Sequence, residues 1–266
     1  MSVPIQTVKT DSWSMDYFSF GEGERNMVIL PGVSIKSVMG FADAVAKQYE
    51  IFAKDFTVYV FDRRREFPEV YPVKEMAEDT VTAMHILGLT DIYLFGASQG
   101  GMMAMEIAIH HPSLVKKMIL GSTAAHSEEN EAFANWLLPA REKDGVGLYL
   151  AFGKALYPEE VFESYKEILI ETGKGVTEKE MERFLIMTDA AEGFDVREDL
   201  TKISCPTMVL YSKDDEVLGE GSSKELIEAL QDKDGFEYYA YEGYGHAVYD
   251  LAPDYQRRMY DFFMKG

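Results

Sequence analysis

Residues Ile92 to His111 read IYLFGASQGGMMAMEIAIHH: a short apolar run, then Gly96-Ala97-Ser98-Gln99-Gly100, then an alanine- and methionine-rich segment halted by Pro112. The apolar run has the length and continuity of a strand buried on both faces, and the segment after it has the composition of a helix ended by a residue that cannot continue one. A GxSxG pentapeptide alone says little, because a structural turn explains most matches. Its place between a strand and a helix makes it informative. The flanking glycines let the chain turn sharply enough to hold Ser98 exposed and strained at the carboxyl end of the sheet. The helix that follows points its amino terminus, with its donors and partial positive charge, at the same spot.

The same rhythm extends outward from this stretch. MVILPG, TVYVFD (Thr57 to Asp62) and KMILGS (Lys117 to Ser122) are further short apolar runs, separated by segments of helical length. Val73 to Leu87 carries Met76, Thr80, Val81, Met84 and Leu87 at three- and four-residue spacing and stops at Gly88, as a helix with a glycine after its end would. Strand and helix repeating in this way predict an α/β fold with a doubly wound, mostly parallel sheet. At the amino-terminal side, WSMDYFSFGEG alternates, and Gly21 and Gly23 suit a hairpin turn between antiparallel strands at a sheet edge. Beyond Ser122 the rhythm breaks, because the next strand-like run, PTMVLYS, begins only at Pro206, far more than a simple crossover needs. The stretch between reads as helices over Ser127 to Glu142, Pro158 to Glu171 and Thr177 to Thr188, the last opened by Thr177 and Glu180 in capping-box spacing. Residues 123–202 are therefore expected to be a helical cap inserted into a core made of residues 1–122 and 203–266. After PTMVLYS come a helix from Ser222 to Leu230, the strand FEYYAYE and a last helix from Asp254 to Met264.

Composition narrows the partners. A net charge of −20 repels phosphate backbones and anionic lipid, which argues against nucleic acid as a partner. The single cysteine, Cys205, cannot form an internal disulfide and reads as a buried structural thiol. No stretch approaches the roughly 18 uncharged apolar residues of a membrane span, and the amino terminus lacks the pattern of a secretory signal. A soluble, cytoplasmic protein is expected; oligomeric state is left open.

A serine hydroxyl is a weak nucleophile alone, so a base must lie within hydrogen-bond reach, usually a histidine held by a carboxylate. On a sheet with such an elbow the three follow in the order serine, acid, histidine. His85 precedes the serine, and His110, His111 and His126 fall before any strand that could supply the acid. That leaves His246, in the loop EGYGHAVYD. The acid belongs in the loop after PTMVLYS, where Lys213, Asp214, Asp215 and Glu216 stand, one helix and one strand before the histidine. An oxyanion hole needs two backbone N–H groups, one from Gln99 and one from the loop after MVIL. Pro31 has no N–H, so Val33 is the second donor, with the side chains of Val33 and Gln99 nearly free to vary. No residue spacing suggests a metal site, and the chemistry calls for no cofactor.

Over nearly its whole length the sequence resembles the α/β-hydrolase superfamily, particularly esterase- and lipase-like members with a helical cap. LPG, GASQG, YSKDDEVL and GYGHAV carry the likeness. It implies an α/β-hydrolase fold of about eight strands, a triad of Ser98, His246 and an acid, and a small uncharged or apolar ester as substrate. Aligning the acid loop on Ser212 and Val217 makes Asp215 the family's acid, with Asp214 a solvated or helix-capping residue. Thioesterase, lactonase, carbon–carbon hydrolase, amidase or perhydrolase chemistry, or ligand binding without turnover, could use the same frame. Two departures stand out: Pro31 where the family often has histidine, and Asp62-Arg63-Arg64-Arg65-Glu66-Phe67 where it commonly has Asp-x-Arg-Gly-x-Gly. The arginine run is read as ion-pair partners in an acidic protein, or as a source of one arginine facing the cleft.

Overall fold

In strand β5 (Ile92–Ala97), Ile92 and Leu94 are buried on one side while Phe95 and Ala97 are buried on the other. Strands β6 (Val115–Gly121) and β7 (Thr207–Ser212) divide their residues the same way, with Met118 and Val209 on one face and Ile119 and Met208 on the other. This is why these runs are mainly apolar: both faces of the sheet are covered, and the buried polar exceptions, Lys117, Thr207 and Ser212, each have a hydrogen-bond partner. The computed structural model describes residues 2–127 and 131–266.

Eight strands form one sheet. Strands β1 (Ile5–Lys9), β2 (Ser14–Phe20), β3 (Arg25–Leu30), β4 (Phe56–Arg64) and β8 (Glu237–Tyr241) join the three above in the order β1-β2-β4-β3-β5-β6-β7-β8. Only the β1–β2 and β2–β4 pairings are antiparallel. Helices α2 (Val73–Ile86), α3 (Gln99–His110) and α8 (Gly219–Leu230) pack one face, while α1 (Ala42–Gln48), α9 (Val248–Leu251) and α10 (Tyr255–Met264) pack the other. This is the α/β-hydrolase architecture.

Between β6 and β7 run α4 (Glu131–Arg141), α5 (Gly145–Leu156), α6 (Glu159–Lys174) and α7 (Glu178–Asp189). The helix expected from Ser127 crosses residues 128–130, which lie outside the described residues. The capping box at Thr177 and Glu180 is formed in both directions. Trp136, Leu148, Met181 and Phe184 make a small core that closes on Ile35 and Val217 from the loops after β3 and β7. Past α7, Phe194, Val196 and Leu200 rejoin the core of the main sheet. Cys205 is buried beside it.

Two readings of the sequence are corrected here. The sheet-edge hairpin is formed by β1 and β2, with its turn before Trp13, and not at Gly21 and Gly23, since β4 lies between β2 and β3. Those glycines serve close approach: a Cβ on Gly23 would lie 1.9 Å from the Asp55 carbonyl carbon, and Gly21, at φ +87°, would clash with the Phe56 carbonyl oxygen. Helix α5 was not expected at all.

Candidate active site

Ser98 sits at φ 53° and ψ −123°, a region costly for any residue with a side chain. The surroundings over-determine it. Its N–H donates to the Gly121 carbonyl at 2.8 Å, and its own carbonyl accepts from the Thr123 hydroxyl at 2.7 Å and the Gly101 N–H at 2.8 Å. The flanking glycines are required by crowding: a Cβ at Gly96 would lie 2.2 Å from the Gly100 carbonyl oxygen, and one at Gly100 would lie 1.9 Å from that of Leu30. Gly32, in the loop after β3, packs directly over Ser98, with its Cβ position 3.0 Å from the serine Cβ.

At the other side of the sheet edge, His246 Nδ1 is 2.8 Å from Asp215 Oδ2, and both side chains are buried. The second carboxylate oxygen of Asp215 accepts from the Val217 and Leu218 N–H groups at 2.8 and 3.0 Å. Burial acts to raise the Asp215 carboxyl, but the His246 contact and these donors outweigh it, so the group is held below the ordinary carboxylate value. A carboxylate so placed fixes the imidazole with Nδ1–H toward it and leaves Nε2 for the cleft.

Asp214 is exposed, as a solvated loop residue should be, but it holds the loop together and does not cap a helix. Its oxygens accept from the Ser212 hydroxyl at 2.7 Å and from the N–H groups of Gly243 and Gly245 at 2.8 and 3.0 Å, which ties the acid loop to the histidine loop. Gly245 is at φ +64°, and Ala247, directly after His246, donates its N–H to the Leu156 carbonyl at 3.0 Å. The histidine loop is thereby pinned to the end of α5.

Ser98, His246, Val33 and Gln99 line one narrow cleft, with Trp136, Phe152 and Leu156 among its apolar walls. The N–H of Gln99 is the first of α3, a donor with no partner inside its own helix. The Gln99 side chain, however, is not free to vary. It is 2 % exposed, accepts from Arg63 Nη2 at 3.1 Å, and donates to the Met187 carbonyl of α7 at 2.5 Å. Arg63 also donates to the Pro31 carbonyl at 2.9 Å, so one buried guanidinium braces both the loop after β3 and the helix after Ser98. Burial pulls the Arg63 guanidinium down to about 10. Arg64 pairs with Glu75 and Asp79, and Arg65 with Asp16. None of the three arginines faces the cleft. Asp62 takes an ion pair from Arg183 of α7 and a hydrogen bond from Ser37.

The remaining histidines stand elsewhere: His85 beside His111, His110 with Glu106, His111 with Glu78 and His126 with Glu225. Among the described residues no group of three or more His, Cys, Asp or Glu side chains is placed to hold a metal ion, and no helix is long and apolar enough to cross a membrane.

The profile of the alpha/beta hydrolase fold family matches residues 27–253. The chain belongs to that family. This α/β hydrolase is 25% identical over 249 residues to a putative carbamate hydrolase RutD of Agrobacterium fabrum, covering 88% of this chain and 93% of the relative. It is 24% identical over 268 residues to the serine hydrolase BPHL of Mus musculus, covering 98% and 87%. Among solved structures, MGS-M2, an α/β hydrolase enzyme from a deep-sea metagenome library, superposes with a TM-score of 0.86 at 21% identity, over 98% of each chain. The enol-lactonase of Burkholderia xenovorans superposes at 0.82 and 18% identity, over 98% of this chain and all of that one. At these identities the structural likeness establishes the fold.

Proposed function

We propose that the protein is a serine hydrolase that cleaves a small to medium carboxylic ester with an uncharged or apolar acyl group. The observation that carries this reading is the buried 2.8 Å pair of His246 and Asp215 opening onto the cleft that Ser98 also lines, with Ser98 held at a positive φ. Ser98 Oγ attacks the carbonyl carbon while His246 takes its proton, and Asp215 stabilises the imidazolium. The N–H groups of Val33 and Gln99 stabilise the tetrahedral oxyanion. The alcohol leaves with the proton from His246, and water activated by the same imidazole releases the acid from Ser98. Residues 123–202, with helices α4–α7, act as a cap that walls the cleft and selects the acyl group, over a core of 1–122 and 203–266. No cofactor or metal takes part, and a cytoplasmic location is consistent with the sequence.

A second reading, carbamate hydrolysis, is supported by the relatives named putative carbamate hydrolases, which match over most of this chain. The same nucleophile and oxyanion donors would serve.

The test is turnover of a p-nitrophenyl ester ladder from acetate to palmitate beside an aryl carbamate. Ser98→Ala should abolish activity, and Asp215→Asn should lower kcat by about 10^4, the loss that follows when a triad histidine is left in the wrong tautomer. Asp214→Asn, which keeps one acceptor oxygen for the histidine loop, should stay within about tenfold of wild type by the modest worth of one hydrogen bond. Equal inactivity of wild type and Ser98→Ala on every substrate would end the reading.

A further inference from the structure

A second, larger cleft opens beside the first and shares Gly32, Val33, Phe152, Leu156 and Tyr249 with it. Apart from Ser34, Lys36 and Gln48 its walls are mainly aromatic and aliphatic, with one acidic side chain, Asp250, four residues beyond His246 on α9. Protein surrounds Asp250 closely, and this burial raises its carboxyl to about 6, the Gln48 bond and the charge of His246 acting against it. Yet the side chain keeps much of its surface, because the cleft runs past it.

Its bonding is sparse. Oδ1 accepts from Gln48 Nε2 at 3.3 Å, and Gln48 gives a shorter bond, 3.0 Å, to the Tyr249 carbonyl. Among the described residues Oδ2 has no donor, and no lysine or arginine pairs with the group. Lys36 also lines the cleft, but its amino group is turned toward Gly175, 3.8 Å from the position a Cβ there would take. Three tyrosines of the cleft, Tyr49, Tyr157 and Tyr249, have their hydroxyls pushed up, first by burial and next by the charge of Asp250.

We propose that this second cleft is a substrate subsite of the same enzyme, built for an organic ammonium group, with Asp250 as its counter-ion and the rings of Tyr49, Tyr157 and Tyr249 as its walls. The proposal rests on the hydrolase reading above and names its substrate class: esters that carry a cation a few bonds from the scissile carbonyl. A carboxylate without a cationic partner, at the wall of a partly screened cleft, attracts an incoming cation more strongly than one in open water does. One carboxylate among aromatic rings suits an ammonium ion; a divalent metal would ask for six or more oxygen ligands. A neutral chain would fill the apolar walls but leave Asp250 unanswered.

Calorimetric titration of hexylammonium and of hexan-1-ol, a neutral match in length, tests this on wild type and on Ser98→Ala. Hexylammonium is expected to bind at least tenfold more tightly to both proteins. In Asp250→Asn the preference should fall below twofold while hexan-1-ol binds as before. Equal binding of the two probes in wild type, or a tenfold preference that survives Asp250→Asn, would overturn the proposal. Because binding is also read on Ser98→Ala, it stands apart from turnover: an ammonium preference without ester hydrolysis sinks the catalytic reading and not the subsite, and neutral ester hydrolysis without the preference does the reverse. Should Asp250→Asn not fold, the pH dependence of binding decides. The groups facing Asp250 are Gln48, Tyr49, Tyr157, Tyr249, Tyr255 and His246, and of these His246 could also repel an ammonium ion once protonated. In His246→Gln, hexylammonium affinity should fall at least fivefold from pH 8 to pH 5 with hexan-1-ol unchanged; a flat profile would refute the role of Asp250.

Discussion

Asp214 and Asp215 are adjacent and both ionised, yet their surroundings give them separate duties. Asp215 turns inward to His246 and two N–H groups, while Asp214 turns back to hold Ser212 and the glycines that precede the histidine. One carboxylate orients the imidazole and the other orients the loop that carries it. Asp250 differs from both, because its charge has no cationic partner. A carboxyl raised from 3.8 to about 6 favours the protonated fold, so its contribution to stability is present below pH 4 and is lost as pH rises through about 6. Asp250→Asn should therefore gain stability over wild type between pH 4 and pH 7 and hold that gain above. Cleft water screens the group, so the gain should be about 1 kcal/mol, or roughly 2–4 °C in melting temperature for a chain of this size. Thermal melts of the two proteins at pH 4, 6 and 8 check it, and an unchanged difference across the range would mean that Asp250 is not perturbed.

At the scale of elements, α4 and α5 wall the cleft, while α7 ties the inserted segment to the groups that brace the elbow. Arg183 pairs with Asp62 and lies 5.3 Å from the centre of the Phe67 ring, and one turn later the Met187 carbonyl receives the Gln99 amide. Arg183→Ala leaves a largely buried Asp62 without its ion-pair partner, which should cost about 2 kcal/mol, less than a fully buried pair would. The expected outcome is faster limited proteolysis within residues 131–189 and a several-fold higher KM, with kcat within about threefold; a fall in kcat alone would place Arg183 in the chemistry instead. Helix α5 escaped the sequence reading because Gly145, Gly147 and Gly153 weaken its intrinsic preference. Its partner explains two of the glycines, and Gly147 leaves room for the Asp144 side chain that caps the helix. A Cβ on Gly145 would lie 2.5 Å from the Gly173 carbonyl oxygen, and one on Gly153 would lie 2.6 Å from Leu169, so α5 and α6 approach only where side chains are missing.

Over the whole molecule, 46 acidic and 26 basic side chains give a net charge of −20, a self-repulsion that salt screens. Raising ionic strength from about 10 mM to 0.5 M, across which the screening length falls from tens of ångströms to a few, should raise the melting temperature at pH 7.5. A fall would mean that local ion pairs such as Arg64 with Asp79 outweigh the global term. The same field would draw cationic esters toward the protein. By itself the sequence determined the strands of the parallel sheet and the sharp turn at Ser98, and it singled out His246 among five histidines as the proposed base, because apolar runs, glycine spacing and chain order are local or one-dimensional signals. Only the tertiary structure decided that β4 separates β2 from β3, that Arg63 and the Gln99 side chain brace the loop over Ser98, that Asp214 clasps the histidine loop and that Asp250 faces a second cleft. Each depends on which distant segments meet, and nothing in the local spacing of residues encodes that meeting.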